Sequence, residues 1–379
     1  MEKHEVVIVG AGPGGLKAAQ TLAKHGKKDV LVLELLPEDQ MGDKICHGMM
    51  LPNNMAIFNI PKELTEVSAK GAEVYWADKS HSTVTFNPPF CYMWLRKDFG
   101  KWLIKETRKM GIEVRPGSRV VKLNKDENYV ELENRERISY DHLIGADGSK
   151  SVIRRGLGLK TRSAIATYVE VPIPPEKMPN GRSDFGHMYI GFNFLGHGFS
   201  GYTPYKNRIS FCLISLDSEF LSTSEKIKRF NKFVKEVDGI DPGDYELRAQ
   251  AVCYKPVGLK HGNIYLVGDA GGWGDIGCGL IYSAAKTGKM AAEDICNIYI
   301  KEEFKEFIAW NRKWITAGNV ILWYDAIIPE GIKKRISRFI IDSLLPKLAK
   351  NSLIMNLIFP VIYPKFLKIV LGPLPGDEA

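Results

Sequence analysis

Three groups of residues in this chain have the types and spacing that hold an anion or move a proton. The first is Gly10-Ala-Gly12-Pro13-Gly14-Gly15, a G-x-G-x-x-G pattern, with Glu34 placed 19 positions after Gly15. Glycines so spaced permit a tight turn, let a pyrophosphate approach the backbone and let a helix pack closely on a strand. Free amides at the start of that helix, and the positive end of its dipole, hold the anion. A carboxylate at Glu34 can then accept hydrogen bonds from a ribose hydroxyl. The second group is Gly268-Asp269-Ala-Gly-Gly272, where the aspartate can accept a hydroxyl proton from a sugar-like chain. The third is Lys44-Ile-Cys46-His47, a thiol flanked by a cation and an imidazole that could tune its pKa. Taken by itself, that local sequence favours a plainer role for Cys46, a small buried hydrophobe.

These groups need elements to position them. Val6 to Val9 is an apolar β-branched run, the composition of a strand buried on both faces. A helix is expected from about Gly14 to His25, with Gly26 just beyond it, then a second strand from Val30 to Leu33. Strand, glycine turn, helix, strand and acid in that order specify a dinucleotide site, where a lone glycine pattern would not. Loosely alternating residues from Gly71 to Trp94 predict antiparallel strands, and a helix is expected from about Phe99 to Met110. Further strands are expected near 112–115, 119–124, 128–133 and 140–145, the last closing in Gly145-Ala-Asp147-Gly148. Between Lys160 and Tyr254, short β-like runs alternate with Pro- and Gly-rich turns around one helix, about Ser224 to Val237. The first fold then resumes with a strand at 263–267 and a helix from about Leu280 to Ile300. The expected class is α/β (α+β overall): a Rossmann-type domain (1–70, 96–159 and 255–300), an inserted antiparallel-sheet substrate domain (71–95 and 160–254) and a helical C-terminal region (301–379). With no second G-x-G-x-x-G, a permanent nicotinamide domain is not expected.

At 379 residues the chain can bury a large core, and 45% apolar and 25% charged residues are ordinary for a globular enzyme. The first strand begins within five residues of Met1, so no signal peptide is expected, and six scattered cysteines form no C-x-x-C pair. A cytoplasmic protein with free thiols is expected, rather than a disulfide framework or a metal centre. A net charge of +8 permits an anionic partner without identifying one, and no nucleic-acid signature accompanies it.

Gly10 to Gly15 with Glu34, Gly145-Ala-Asp147-Gly148 and Gly268-Asp269-Ala-Gly together resemble the FAD sites of para-hydroxybenzoate hydroxylase-type flavoproteins. Within that superfamily the chain resembles the geranylgeranyl reductases, whose archaeal members saturate the chains of digeranylgeranylglycerophospholipids. Lys44-Ile-Cys46, Leu143-Ile-Gly-Ala-Asp-Gly and the inserted domain containing Tyr189 carry this likeness. The resemblance implies FAD held by Gly10, Gly12, Pro13, Gly14, Gly15 and Glu34, with Lys44, Cys46, Arg96 and Val121 beside it. It further implies contacts from Asp147 and Gly148, from Asp269 to the ribityl chain, and from Gly277, Gly279 and Leu280. Tyr189, Phe192 and Phe194 are the implied substrate residues. His47 stands where the family usually has glycine, and the aromatic pattern at Tyr189 is reduced.

The chemistry so implied is alkene reduction on an isoprenoid lipid, with Cys46, or less directly His47 or Cys278, as the proton donor. NAD(P)H or a ferredoxin-like protein would supply electrons as a transient partner. A flavin monooxygenase and a non-catalytic prenyl-lipid carrier are the competing expectations; intact Asp147-Gly148 and Gly268-Asp269 argue against the carrier. From Trp310 to Pro375 large apolar residues mix with Lys and Arg, but no stretch reaches 18 uncharged apolar residues. Helices packed over the substrate domain are expected there, or a monotopic surface with a basic rim at the inner face of a membrane.

Overall fold

The run Val6–Val9 is wholly interior because it lies mid-sheet with strands on both sides. In the computed structural model, β1 (Glu2–Val9), α1 (Pro13–Lys24), β2 (Val30–Leu33), α2 (Arg96–Lys109), β3 (Glu113–Arg115), β4 (Val120–Asn124), β5 (Tyr129–Leu132), β6 (Arg137–Gly145), α3 (Val152–Gly156), β7 (Lys260–His261), β8 (Ile264–Leu266) and α4 (Leu280–Ile295) form the first unit. The structure describes residues 1–50, 55–76, 78–86, 89, 91–190, 200–216, 222–274, 280–298, 305–309, 332 and 335. Most of the C-terminal region and the residues 87–88, 192, 194 and 277–279 therefore lie outside the described residues.

Sheet order in this unit is β7-β8-β6-β1-β2-β3, with β5 on β6 and β4 on β5. Pairings β6–β1, β1–β2, β2–β3 and β6–β8 are parallel. Val9 lies opposite both Gly145 and Leu33, and Gly145 opposite Leu266. Four neighbouring strands thus end level, and the residues that follow them emerge along one edge, where open parallel sheets bind ligands.

Helix α1 starts with Pro13 in its first turn, where a missing N–H costs nothing, and Gly26 past its end has φ +82°. Its close partner is α4. A Cβ on Gly14 would stand 3.0 Å from the Ala284 carbonyl oxygen, and one on Gly288 would run into the Gly14 carbonyl. Bare backbone on both helices is what allows this approach. α4 ends at Ile295 rather than at Ile300 as expected, because Asn297 turns into the left-handed region at φ 57°.

The second unit is built from Val67–Tyr92 and Val169–Glu246. Gly71–Trp76 pairs antiparallel with His81–Thr85 and parallel with Phe185–Ile190. Ser200–Pro204 joins antiparallel to that strand and to Arg208–Leu216. Helix Thr223–Asp238 buries Phe230, Phe233 and Val234 in a core shared with Tyr189, Tyr202, Ile209 and Phe211. Ser222 caps it by accepting from the Glu225 amide at 3.2 Å, and Gly239 ends it at φ 71°. The α/β class with a largely antiparallel second sheet is the architecture expected.

Candidate cofactor site

At the level edge of the parallel sheet the separated sequence groups become neighbours. Gly10 has φ +104°, and a Cβ there would lie 2.5 Å from the Ala146 carbonyl oxygen, so the glycine turn is seated directly on the segment carrying Asp147. Gly10 N donates to Leu33 O at 2.7 Å, which fastens the turn to the end of β2. Glu34 is buried, and its two oxygens accept from the Ala11 amide (2.7 Å) and the Leu36 amide (3.1 Å). Each carboxylate oxygen has two lone pairs, so capacity remains for a further donor.

Among the described residues, the backbone at Gly12 faces open space. A Cβ there would meet only Lys44 Nζ, at 3.5 Å, and no side chain caps the first turn of α1. Bare amides, a helix N-terminus and an ammonium opposite them form a cradle for a pyrophosphate. Lys44 is reachable by water yet hemmed in by protein. That crowding lowers its pKa, Arg96 adds to the effect, and Glu34, Asp269 and Asp147 oppose it. One ammonium therefore lies within electrostatic reach of Glu34, Asp147 and Asp269, acids from three separated turns. These residues fit FAD.

Lys44 and Cys46 are held by a loop clamped to α2. Gly42, at φ +83°, approaches so closely that its Cβ would stand 2.8 Å from the Gly100 carbonyl carbon, and Arg96 Nη1 donates to Gly42 O at 3.2 Å. Burial lowers the Arg96 pKa against the pull of Cys46, Glu34 and Asp43. Cys46 is a free, half-buried thiol whose sulfur accepts from the Gly48 amide at 3.4 Å. His47 is buried beside Tyr168, ring centroids 6.2 Å apart, and burial pulls its pKa down to about 3. It is a neutral imidazole at neutral pH.

Asp147 closes the turn after β6. Its Oδ2 accepts from the Val152 and Ile153 amides at 2.6 and 3.3 Å, whereas Oδ1 is buried without a hydrogen-bond partner among the described residues. Burial raises its pKa. Gly148 follows at φ +74°. Gly268, φ +56°, donates its amide to Thr287 Oγ1 at 3.0 Å, which ties the turn bearing Asp269 to α4, with Leu280 half-buried at that helix's start. Val121 is exposed on β4, two strands out from β6.

Arg154 is a residue whose role the sequence did not disclose. It is buried, and its guanidinium donates to Ser149 O (2.6 Å), Asp269 O (3.2 Å) and Ala270 O (3.0 Å). One planar cation thus locks the turn after β6 to the turn after β8. The only local signal is Ser151, whose hydroxyl accepts from the Arg154 amide at 2.9 Å; the carbonyls it holds are 115 and 116 positions away.

Tyr189 belongs to the second unit, where it is buried and its hydroxyl donates to Asp238. His187 lies between Asp238 Oδ1 (2.9 Å) and Glu73 Oε2 (3.7 Å). Glu73 also accepts from Tyr75 (2.9 Å) and Asn180. Burial, reinforced by Asp238, holds Tyr189 in its phenol form.

A model of the FAD binding domain family matches residues 3–271. An uncharacterized protein of Methanosarcina barkeri is 28% identical over 304 residues, 78% of this chain and 75% of that protein. A digeranylgeranylglycerophospholipid reductase of Methanococcoides burtonii is 26% identical over 317 residues, 77% of this chain and 74% of that one. Among solved structures, a geranylgeranyl bacteriochlorophyll reductase-like protein of Thermoplasma acidophilum shares the fold with a TM-score of 0.78 at 19% identity, covering 98% of this chain and 100% of its own.

Proposed function

Because the chain belongs to the FAD-binding domain family, we propose that it is an FAD-dependent reductase that saturates carbon–carbon double bonds in the geranylgeranyl chains of isoprenoid lipids. The observation that carries the reading is a thiol, Cys46, on the clamped loop that also brings Lys44 opposite the glycine turn, within electrostatic reach of Arg96. The reductase named among the relatives supports the substrate class. FAD supplies the electron pair for such a reduction. The protein would hold its pyrophosphate with the amides of Gly12, Gly14 and Gly15 and with Lys44, its ribose with Glu34, and its sugar chain with Asp269.

An isolated alkene is poorly polarised, so a positioned proton donor is needed on the carbon that does not receive hydride. Cys46 fills that role. His47 does not, because an imidazole with a pKa near 3 carries no acidic proton to give at neutral pH. A transiently bound donor resupplies electrons.

The test is anaerobic. The flavin is photoreduced, a geranylgeranyl phospholipid is added, and reoxidation is followed together with the lipid mass, which gains two hydrogens for each bond saturated. Cys46→Ala and Cys46→Ser should bind FAD normally yet reoxidise about 100-fold more slowly, the low end for loss of a general acid. Wild-type reoxidation rates in both variants reject Cys46 as the donor. In a parallel aerobic assay with NAD(P)H, oxygen consumption without lipid reduction rejects the reductase in favour of a monooxygenase.

A further inference from the structure

Cys46-His47-Gly48 is a turn that folds back on its own sulfur. Gly48 has φ +70°, a backbone conformation that residues other than Gly, Asn and Asp rarely adopt. In that conformation its amide donates to Cys46 Sγ at 3.4 Å, two positions back along the chain. Sulfur is the acceptor in this bond, so the thiol hydrogen remains available to another partner. The contact also selects one side-chain rotamer, since rotation to another staggered well would give it up.

The turn is held from outside as well. Gly48 O accepts from the Trp94 amide at 2.9 Å, and Gly42 O, at the other end of the loop, accepts from Arg96 Nη1 at 3.2 Å. Residues on either side of Leu95 therefore fasten both ends of the stretch that carries Lys44 and Cys46. Trp94 is 1% exposed, its indole donates to Thr65 Oγ1 at 2.9 Å, and its ring centroid lies 5.7 Å from that of Phe99. The Arg96 guanidinium lies 5.5 Å from the same Phe99 ring, so one aromatic side chain backs both fastenings. His47, in the middle of the turn, is buried beside Tyr168. With both ends and the central side chain held, the left-handed residue at 48 is what brings an amide to the sulfur.

We propose that Gly48 is a positioning residue for Cys46: its left-handed backbone, held by the Trp94 amide, fixes the thiol in one orientation on the loop that meets the cofactor site. The proposal deepens the reductase reading and rests on it for the role of Cys46, though not for the geometry of the turn. A general acid gains from being directed in advance, because misplacement by about 1 Å can cost about 100-fold in rate.

Stopped-flow reoxidation of the photoreduced, FAD-loaded protein by a geranylgeranyl phospholipid tests this in Gly48→Val, Gly48→Asn and Cys46→Ala/Gly48→Val. Valine does not tolerate this backbone conformation, whereas asparagine does. Reoxidation per bound flavin should slow about tenfold or more in Gly48→Val and stay within about threefold of the parent in Gly48→Asn. In the Cys46→Ala background the valine should slow it no further, because the group it misplaces is gone. Parent rates in Gly48→Val overturn the proposal. So does asparagine slowing the reaction as much as valine, or valine slowing it equally with and without Cys46. Solvent exchange of the Gly48 amide, followed by NMR on the FAD-loaded protein, reads the contact without any lipid chemistry. It should quicken about fivefold in Cys46→Ala, the loss of one hydrogen bond, and an unchanged rate overturns the proposal even if the enzyme reduces lipid. That measurement also decides the matter should Gly48→Val fail to fold. A parent protein that reduces no lipid, with exchange quickened as expected, rejects the reductase reading while supporting the turn.

Discussion

The end of the parallel sheet and the polar cluster of the second unit both hold acids next to hydrogen-bond donors, but they use them in opposite ways. Among the described residues, Glu34 takes one backbone amide on each oxygen and retains lone pairs, Asp147 Oδ1 has no hydrogen-bond partner, and the Gly12 backbone faces open space with an ammonium across it. In the second unit Asp238, His187, Glu73, Tyr75, Tyr189 and Asn180 spend their capacity on one another. Unspent capacity beside bare backbone fits a ligand. Mutual satisfaction in the dark fits a scaffold, because each buried polar group there would be costly if left alone.

The largest expected effect comes from closing the glycine turn. In Gly15→Ala the new methyl would run into the Gly10 carbonyl and stand 3.1 Å from Ile8 Cγ2, both rigid parts of the sheet edge. Loss of folded protein, or a melting temperature lowered by the equivalent of about 3 kcal/mol or more, is expected in thermal denaturation. Recovery of wild-type stability would contradict the packing.

Next comes Asp238→Ala, which strands His187 and the Tyr189 hydroxyl in the interior. Leaving each buried hydrogen-bonding group without its acceptor costs about 1–3 kcal/mol, read as a shift in the urea midpoint. FAD per folded molecule should not change, and flavin loss in folded Asp238→Ala would make the cluster more than a scaffold.

A smaller effect is a loss of stability in acid that traces to His47. Its folded pKa, about 3, lies below the ordinary 6.5. Unfolded chains therefore take up a proton below pH 6.5 that the folded protein refuses until near pH 3. The stabilising contribution is complete above 6.5 and disappears as pH falls through that window. Melting curves of His47→Phe should depend less on pH there than those of the parent, and identical pH profiles would exclude this origin.

The least effect on stability is expected for Gly12→Ala, because its Cβ meets nothing nearer than Lys44 Nζ. The melting temperature of the flavin-free protein should stay within about 1 kcal/mol of the parent, whereas FAD retention on gel filtration should fall because the methyl occupies the pyrophosphate's approach. Normal FAD retention would remove Gly12 from the cradle.

Much of the first unit was legible because its signals are local. The strand Val30–Leu33 has the limits read from its apolar run, and the glycine turn announces itself within six residues. Helix α4 proved shorter than its apolar pattern because Asn297 adopts a left-handed conformation that hydrophobic periodicity does not encode. Tyr189 was legible as a residue of note, but its commitment to Asp238, 49 positions away, was not.

By itself, the sequence determined the order of elements, the anion-binding turn and the acid that follows it, since these depend on residues a few positions apart and on backbone freedom that only glycine supplies. Tertiary structure decided which separated groups meet. The level strand ends bring Gly10, Asp147 and Gly268 to one edge, Arg154 joins two turns, and the Gly42–Gly100 contact sets Lys44 opposite Gly12. The physical reason is that a guanidinium, an ammonium or a carboxylate acts over a few ångströms of space, and distance along the chain carries almost no information about that separation.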